Sequence, residues 1–318
     1  VRQYIPKLKQ LGVDMTEFVA VVGAYPPANR LLRPWWAVTT LTSRLPGLVR
    51  SFRFDLTFLQ REFLSTFVTF EPFLHQPRIL DVDDAIWVHR RGSFAKRLAR
   101  ECNSVICGNQ FLADNFSRWN PNVTVIATGV DTQRFHPVRQ KENGQVVIGW
   151  SGTSANYGNL AMLEAPLAVV LHEYPNVHFR IVSDQEPTMK SLPREKVEYT
   201  PWSPNNEIET IQTMDIGVMP LEDTVFARGK CSYKMLLYMA CGIPVVVSPV
   251  GMNQDVLDLG SVGFGARNDE EWVDALRYLI GDESERKRIG MVGRTVVESN
   301  FSLERTSSAL ANWLLAYA

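Results

Sequence analysis

Cations and small residues gather in one stretch of this chain, from Arg228 to Gly251, RGKCSYKMLLYMACGIPVVVSPVG. Its residue types suit an anion. Arg228, Lys230 and Lys234 supply charge, and Gly229 and Ser232 give a loop that a ligand can approach. A helix is expected over Tyr233–Cys241, ended by Gly242, with a buried strand over Ile243–Val247. Amides in a helix's first turn lack internal partners and carry partial positive charge, so a phosphate is favoured there. The same spacing also fits a helix that packs on its own strand with lysines in solvent.

Two further constellations sit at expected strand ends. Asp83 and Asp84 follow the strand Ile79–Val82, and Arg61 and Glu62 follow Leu56–Leu59. Ligands of open α/β sheets bind beyond the carboxyl ends of strands. Asp83 suits acid/base work or hydroxyl binding, and Asp84 a helix N-cap. Gly152 and Thr153 lie in a phosphate-sized loop, Ser151–Ser154, after the strand Val146–Trp150. It is not a G-x-G-x-x-G fingerprint.

These residues need a frame, and the chain alternates strand and helix twice. Strands are also expected over Phe18–Val22, Val105–Cys107, Val123–Ile126, Val177–Val182, Val197–Tyr199 and Ile216–Met219. This is the pattern of two parallel sheets. A polar linker is placed at 138–144, dividing a first domain, 1–142, from a second, 143–300, with a last helix in 301–318. Residues 33–53 read as a helix pair with a buried aromatic face, or as a membrane-interface segment, because Trp35, Trp36 and Phe52 alternate with Arg44, Arg50 and Arg53. A basic helix is expected over His89–Arg100.

The chain has 318 residues, 45% of them apolar, enough for two globular domains. Residues 1–142 hold 19 Lys and Arg against 12 Asp and Glu, a net of +7, while the remainder is −8. The basic half suits an acidic membrane face or a lipid-phosphate acceptor, or is ordinary surface scatter. With overall charge at −1 and no nucleic-acid module, nucleic acid is not expected as a partner. Cys102, Cys107, Cys231 and Cys241 lack zinc-ligand spacing and read as reduced thiols of a cytoplasmic protein.

The stretch LYMACGIPVV, Leu237–Val246, resembles the donor-site signature of glycosyltransferase family 4, a retaining family of GT-B architecture. DLTFLQREF, RILDVDDAIW, VICGNQFLA, ATGVDTQRFHP, VIGWSGT and DIGVMPL match other pieces of that family in the same order. The resemblance implies two Rossmann-like parallel-sheet domains facing each other across a cleft, with the last helix crossing back to the first domain through Trp313. It implies a sugar passed from a nucleoside-diphosphate sugar, UDP first and GDP second, to a glycan or lipid-linked acceptor. Anomeric configuration would be retained, with no cofactor and no metal. The D-x-D of Asp81-Val82-Asp83 is accordingly set aside as a metal signature.

Carried over by residue, Gly152, Thr153, Arg228, Lys230, Ser232 and Lys234 would hold the diphosphate. Asp83, Asp84 and Arg61 would face the acceptor or reacting sugar, Asp83-Asp84 standing where relatives have a His-Asp pair. Trp202 would stack on the base or pack on a neighbouring loop, and Gly251, Met252 and Asn253 would face the donor. The departures are specific. The family's two donor glutamates fall on Gly229 and Leu237; Glu222 and Asp223 are candidate stand-ins for the first of them. Trp150 and Ala155 take the places of a diphosphate-binding Arg and Lys. The family's first strand has no counterpart before the opening helix, and the chain starts with Val, as a fragment would. A non-catalytic nucleotide-sugar scaffold and a sugar-nucleotide epimerase therefore remain alternative readings.

Overall fold

The computed structural model describes residues 2–22, 26–138 and 144–318, apart from the side chains of Arg90 and Arg91. The chain divides into two compact units. The first comprises Val1–Thr128, Gly229–Cys231 and Thr306–Ala318, and the second Gly129–Arg228 and Ser232–Arg305.

The first unit opens with α1 (Ile5–Gln10), ended at Gly12 with φ of 87°, and the long α2 (Arg33–Ser51). Then come β1 (Thr57–Gln60), β2 (Arg78–Val82), α3 (Ser93–Glu101), β3 (Ser104–Cys107), α4 (Gln110–Phe116) and β4 (Val123–Val125). The strands form one parallel sheet in the order β1-β2-β3-β4. Central β3 is buried throughout, as its apolar run requires. Glu71 is fully buried, and its carboxylate accepts the backbone N–H groups of Phe63 and Thr69. Beside β1, a cavity of about 410 Å³ runs between residues 54–63 and residues 12–20. Neighbouring residues of a strand face opposite ways, so a space touching that whole run follows the strand's edge.

Three expectations are corrected here. Phe18–Val22 is not a strand, the chain being irregular through Ala20 and bending at Val21 and Val22: the Phe18 carbonyl accepts from Arg44 Nη1 at 2.7 Å, and its ring meets Phe54 edge-on at 6.3 Å. That carbonyl is thus satisfied by a side chain rather than by a neighbouring strand. Residues 33–51 are a single helix, through Pro46, rather than a pair. Its Trp36 is buried, but Trp35 and Phe52 are exposed. The basic stretch after Ile86 runs first as a 3-10 helix to Gly92, and the α-helix starts only at Ser93, because Gly92 takes a left-handed φ of 72°. Within α3, Phe94 and Leu98 are buried one turn apart.

The second unit holds β5 (Val146–Ser151), α5 (Tyr157–Leu160), α6 (Glu164–Glu173), β6 (Val177–Ser183), β7 (Val197–Pro201) and α7 (Glu207–Gln212). It continues with β8 (Ile216–Met219), α8 (Val225–Arg228), α9 (Tyr233–Ala240), β9 (Val245–Val247) and α10 (Met252–Leu257). β10 (Gly263–Gly265), α11 (Asp269–Gly281) and α12 (Glu283–Asn300) follow. Six parallel strands run β10-β9-β8-β5-β6-β7. The core joins β5, β6 and β8 to Leu167, Val170 and Leu171 of α6 and to Trp272, Leu276 and Leu279 of α11.

The linker placed at 138–144 falls largely outside the described residues. The compact units divide earlier, after Thr128. Val130 explains this: its N–H bonds the Phe301 carbonyl, and its own carbonyl accepts from Leu303, each at 2.8 Å. The last helix, α13 (Leu303–Leu315), belongs to the first unit from Thr306 onward. There Trp313 Nε1–H donates to Ser104 Oγ of β3 at 2.9 Å.

Candidate functional site

In the first unit, one cluster forms where β1, β2 and β3 end. Asp83 and Asp84 follow β2, Arg61 follows β1, and Gly108 and Asn109 follow β3. The loop Gly229–Cys231 lies against these ends, held by two hydrogen bonds. Asn109 Nδ2 donates to the Lys230 carbonyl at 3.0 Å, and its Oδ1 caps α4 by accepting from Leu112 N–H at 2.8 Å. Cys231 Sγ donates to the Asp83 carbonyl at 3.2 Å. The fit requires glycine on both sides. A Cβ on Gly108 would run into Cys231 Sγ, and one on Gly229 would come within 2.7 Å of Ala85 Cβ and 2.8 Å of its backbone nitrogen.

The loop carries Lys230 into the carboxylates. Burial and then Asp83 push the Asp84 carboxyl up, and Lys230, Arg61 and His89 draw it back. Arg61, in a left-handed conformation with φ of 77°, stands 4.0 Å from Asp84 Oδ2 and 3.9 Å from Glu62 Oε2. Glu62 is inward-facing: Oε1 accepts from Thr66 N–H at 3.0 Å, and Oε2 has no hydrogen-bond partner. The Asp83 side chain is exposed. Beneath it, Asp81 is pushed up to about 7, by burial first and by Asp83 second. The Asp84 side chain turns towards Arg61, and its carbonyl, rather than its carboxylate, accepts from Ile86 N–H at 2.7 Å as the 3-10 helix begins.

The second unit gathers the rest. Lys234, in the first turn of α9, lies with Nζ 5.1 Å from the centre of the buried Trp150 ring, a cation–π distance. A Cβ on Gly152 would come within 2.6 Å of that Nζ and would collide with the indole. Lys234 and Gly152 are therefore brought together, and Trp150 serves as the platform beneath them. Ser232 is buried, with φ of 50°, and its Oγ donates to Asn253 Oδ1 at 2.7 Å. Asn253 Nδ2 in turn donates to the Ser248 carbonyl at 2.9 Å. Gly251, with φ of 55°, lets the chain pass where a Cβ would sit 2.6 Å from the Arg228 carbonyl, and the adjoining Met252 is buried.

Several predicted residues are engaged locally. Arg228 forms a two-pronged pair with Asp223 at 2.7 and 2.9 Å, which holds that carboxyl below its ordinary range. Glu222 is exposed, and its N–H donates to Asn159 at 3.1 Å. Trp202 is partly exposed at the end of β7, and its indole N–H donates to Glu207 at 3.1 Å. The loop after β5 spends two amides inside the fold. Gly152 N–H bonds Val182, and Ser154 N–H bonds the Asp184 carboxylate at 2.6 Å. Thr153 Oγ1 accepts from Asn156 at 2.9 Å.

Sequence reading missed Asp184 and Tyr238. The Tyr238 hydroxyl, fully buried, accepts Ser151 N–H at 2.7 Å, and Gly217 makes room for the ring. Neither had a local signal. Tyr238 lies in an apolar helical run, and Asp184 in a plain polar turn. The glutamate departures have physical form as well. Leu237 is almost fully buried in α9, and Gly229 has no space for a side chain. All four cysteines are free and buried.

Residues 145–282 match the family model for glycosyl transferases, group 1. Among characterised proteins, spore coat protein SA of Bacillus subtilis (strain 168) is 21% identical over 231 residues, covering 63% of this chain. The chain spans about 60% of that relative's length. Sucrose-phosphate synthase from Thermosynechococcus elongatus shares the fold with a TM-score of 0.65 at 13% identity, over 93% of this chain and 82% of that one. Anabaena HepE, solved with UDP and glucose, gives a TM-score of 0.64 at 14% identity, over 97% and 88% of the two chains. Two parallel-sheet α/β units and these neighbours support the GT-B fold, and the second unit is similar to glycosyl transferases, group 1.

Proposed function

We propose that this chain moves a sugar from a nucleoside-diphosphate sugar to a glycan or lipid-linked acceptor, with retention at the anomeric carbon. The observation that carries this reading is the clamp on Gly229–Cys231, which brings the charge of Lys230 to bear on Asp84, where Asp83 and Arg61 act as well. Bond cleavage leaves growing negative charge on the diphosphate. Preorganised cations stabilise that charge, and removing one such group typically costs about 10²–10³ in rate. Lys230 and Arg61 supply the charge in this reading, which assigns no role to a metal. Asp83 orients the acceptor hydroxyl. Front-face attack follows, the proton passing to the leaving diphosphate. UDP is the first choice of nucleotide because HepE was solved with it; GDP is the second. A surface glycan is the favoured product class, since a coat protein is among the relatives. The chain works in the cytoplasm, at the inner face of the membrane.

Trp202, Glu222, Asp223, Gly251 and Met252 frame the nucleoside in this reading. Ser232 and Asn253 hold the loop's shape through their mutual bond. A second reading, a non-catalytic nucleotide-sugar scaffold, draws on the buried Leu237 and the space-filled Gly229. A calorimetric panel of UDP, GDP and ADP tests the first. A nucleotide at about 100 Kd adds about 2.7 kcal/mol of stability, and Lys230→Ala abolishes that gain. If a nucleotide binds but no donor sugar is turned over with any glycan acceptor, the scaffold reading replaces the enzyme.

A further inference from the structure

The helix α2 is built inside out. Its buried positions are Trp36, Thr40, Gly47 and Ser51, and three of these four are small or polar. Its large apolar residues lie on the opposite side. Trp35, Val38, Leu45 and Val49 follow one another at steps of three, seven and four residues, and Phe52 continues the series just past the helix end. Such spacing lines one face of a helix. All five are exposed, Trp35 and Phe52 at 64% and Val49 at 71%, and Leu31, one turn before Trp35, at 87%. A contiguous apolar stripe of this kind marks an interaction surface.

The charges around the stripe identify its partner. Arg30 and Arg33 stand at one end and Arg50 and Arg53 at the other, all four exposed. From Phe18 to Phe54 there is no Asp or Glu. A second copy of the same helix would bring arginine against arginine in either orientation, so self-pairing is opposed by like charge. A surface that is apolar below and anionic above satisfies both features at once. No helix among the described residues is long and apolar enough to cross a membrane, so α2 would lie along the surface.

We infer that the outer face of α2 docks on an anionic lipid bilayer, with Trp35, Val38, Val49 and Phe52 entering the acyl boundary and Arg30, Arg33, Arg50 and Arg53 meeting lipid phosphates. The inference sharpens the membrane location proposed above and does not depend on the transfer reaction. Of the two sequence readings of residues 33–53 it takes the membrane-interface one, Trp36 alone of the three aromatics being buried. It also gives a use to part of the excess positive charge of the first half of the chain.

Vesicle flotation of the full chain tests it, using phosphatidylcholine alone and an equal-part mixture with phosphatidylglycerol. The chain floats with the anionic vesicles and not with the neutral ones, and high salt weakens the association. Arg50→Gln with Arg53→Gln lowers the partition roughly thirtyfold. Trp35→Ser with Phe52→Ser, both at exposed sites, abolishes it while the melting temperature holds. Binding that is equal on both vesicle types, or unaffected by either double variant, overturns the inference. Dimerisation that Trp35→Ser with Phe52→Ser abolishes, with no vesicle binding by the parent chain, overturns it in favour of a protein interface. Nucleotide binding measured on the same samples separates this result from the proposed activity: its absence leaves the vesicle result standing.

Discussion

Around Asp83 the charged groups act on Asp84 through their fields, whereas in the second unit several polar side chains form short bonds with one another. Arg61 is 4.0 Å from Asp84, Lys230 acts on Asp84 through its field, and Asp83 is exposed. In the second unit Ser232 bonds Asn253, Arg228 bonds Asp223 and Ser154 bonds Asp184, all at 2.6–2.9 Å. Lys234 is the exception there, resting on a ring face beside Gly152. Asp83 is exposed at its strand end, where a ligand can reach its carboxylate. Groups that satisfy each other shape a backbone. The difference suggests which residues act on substrate and which set the loops.

The largest effect expected from this comparison is at Lys230. Lys230→Ala lowers transfer by about 10²–10³ in kcat and leaves the melting temperature nearly unchanged; steady-state kinetics with the donor found in the nucleotide panel would show this. If kcat is preserved, the open cluster is not the reacting centre. Gly229→Ala comes next. Its Cβ meets Ala85 backbone, so the loop must shift, and a misplacement near 1 Å can cost about a hundredfold in rate. Normal activity in that variant would show that the clamp tolerates movement.

A third test is by pH. Asp81 has a folded value near 7, above its unfolded value. Between about pH 4 and 7 the folded chain therefore holds a proton that the unfolded chain has released, and stability falls as pH rises. Asp81→Asn removes that slope and adds about 2–4 kcal/mol at pH 7, measured by denaturant titration across this range. An unchanged slope would place the titration elsewhere.

Smaller effects belong to the mutually bonded groups. Ser232→Ala leaves Asn253 Oδ1 without its donor in a buried site, costing about 1–3 kcal/mol of stability. Nucleotide affinity should change little beyond that, and a selective loss of affinity at constant stability would return Ser232 to the phosphate. Arg228→Ala breaks an exposed pair and changes stability by less than about 1 kcal/mol. A large fall in nucleotide affinity would show that Arg228 leaves Asp223 for the ligand.

Much of the frame was legible because its signals are local. Apolar β-branched runs specified β2, β3, β5, β6, β8 and β9 to within a residue or two, and Gly242, with φ of 72°, ends α9 as its position implied. Asp83 and Asp84 stand at a strand end for the same reason. The expected strand at Phe18–Val22 failed because a strand also needs a neighbour, and Arg44 took the carbonyl instead.

What the sequence determined, then, was the alternation of elements and the residue types at their ends, since backbone preference and hydrophobic period act over a few residues. Tertiary structure alone decided the company those residues keep. Cys231 and Asp83, 148 positions apart, meet because Gly108 and Gly229 leave room for the contact. Ser232 turns to Asn253, Tyr238 turns to Ser151, and α2 faces its small residues inward. Such pairings depend on close packing and on satisfying buried polar groups among distant parts of the chain, which spacing along the sequence does not encode.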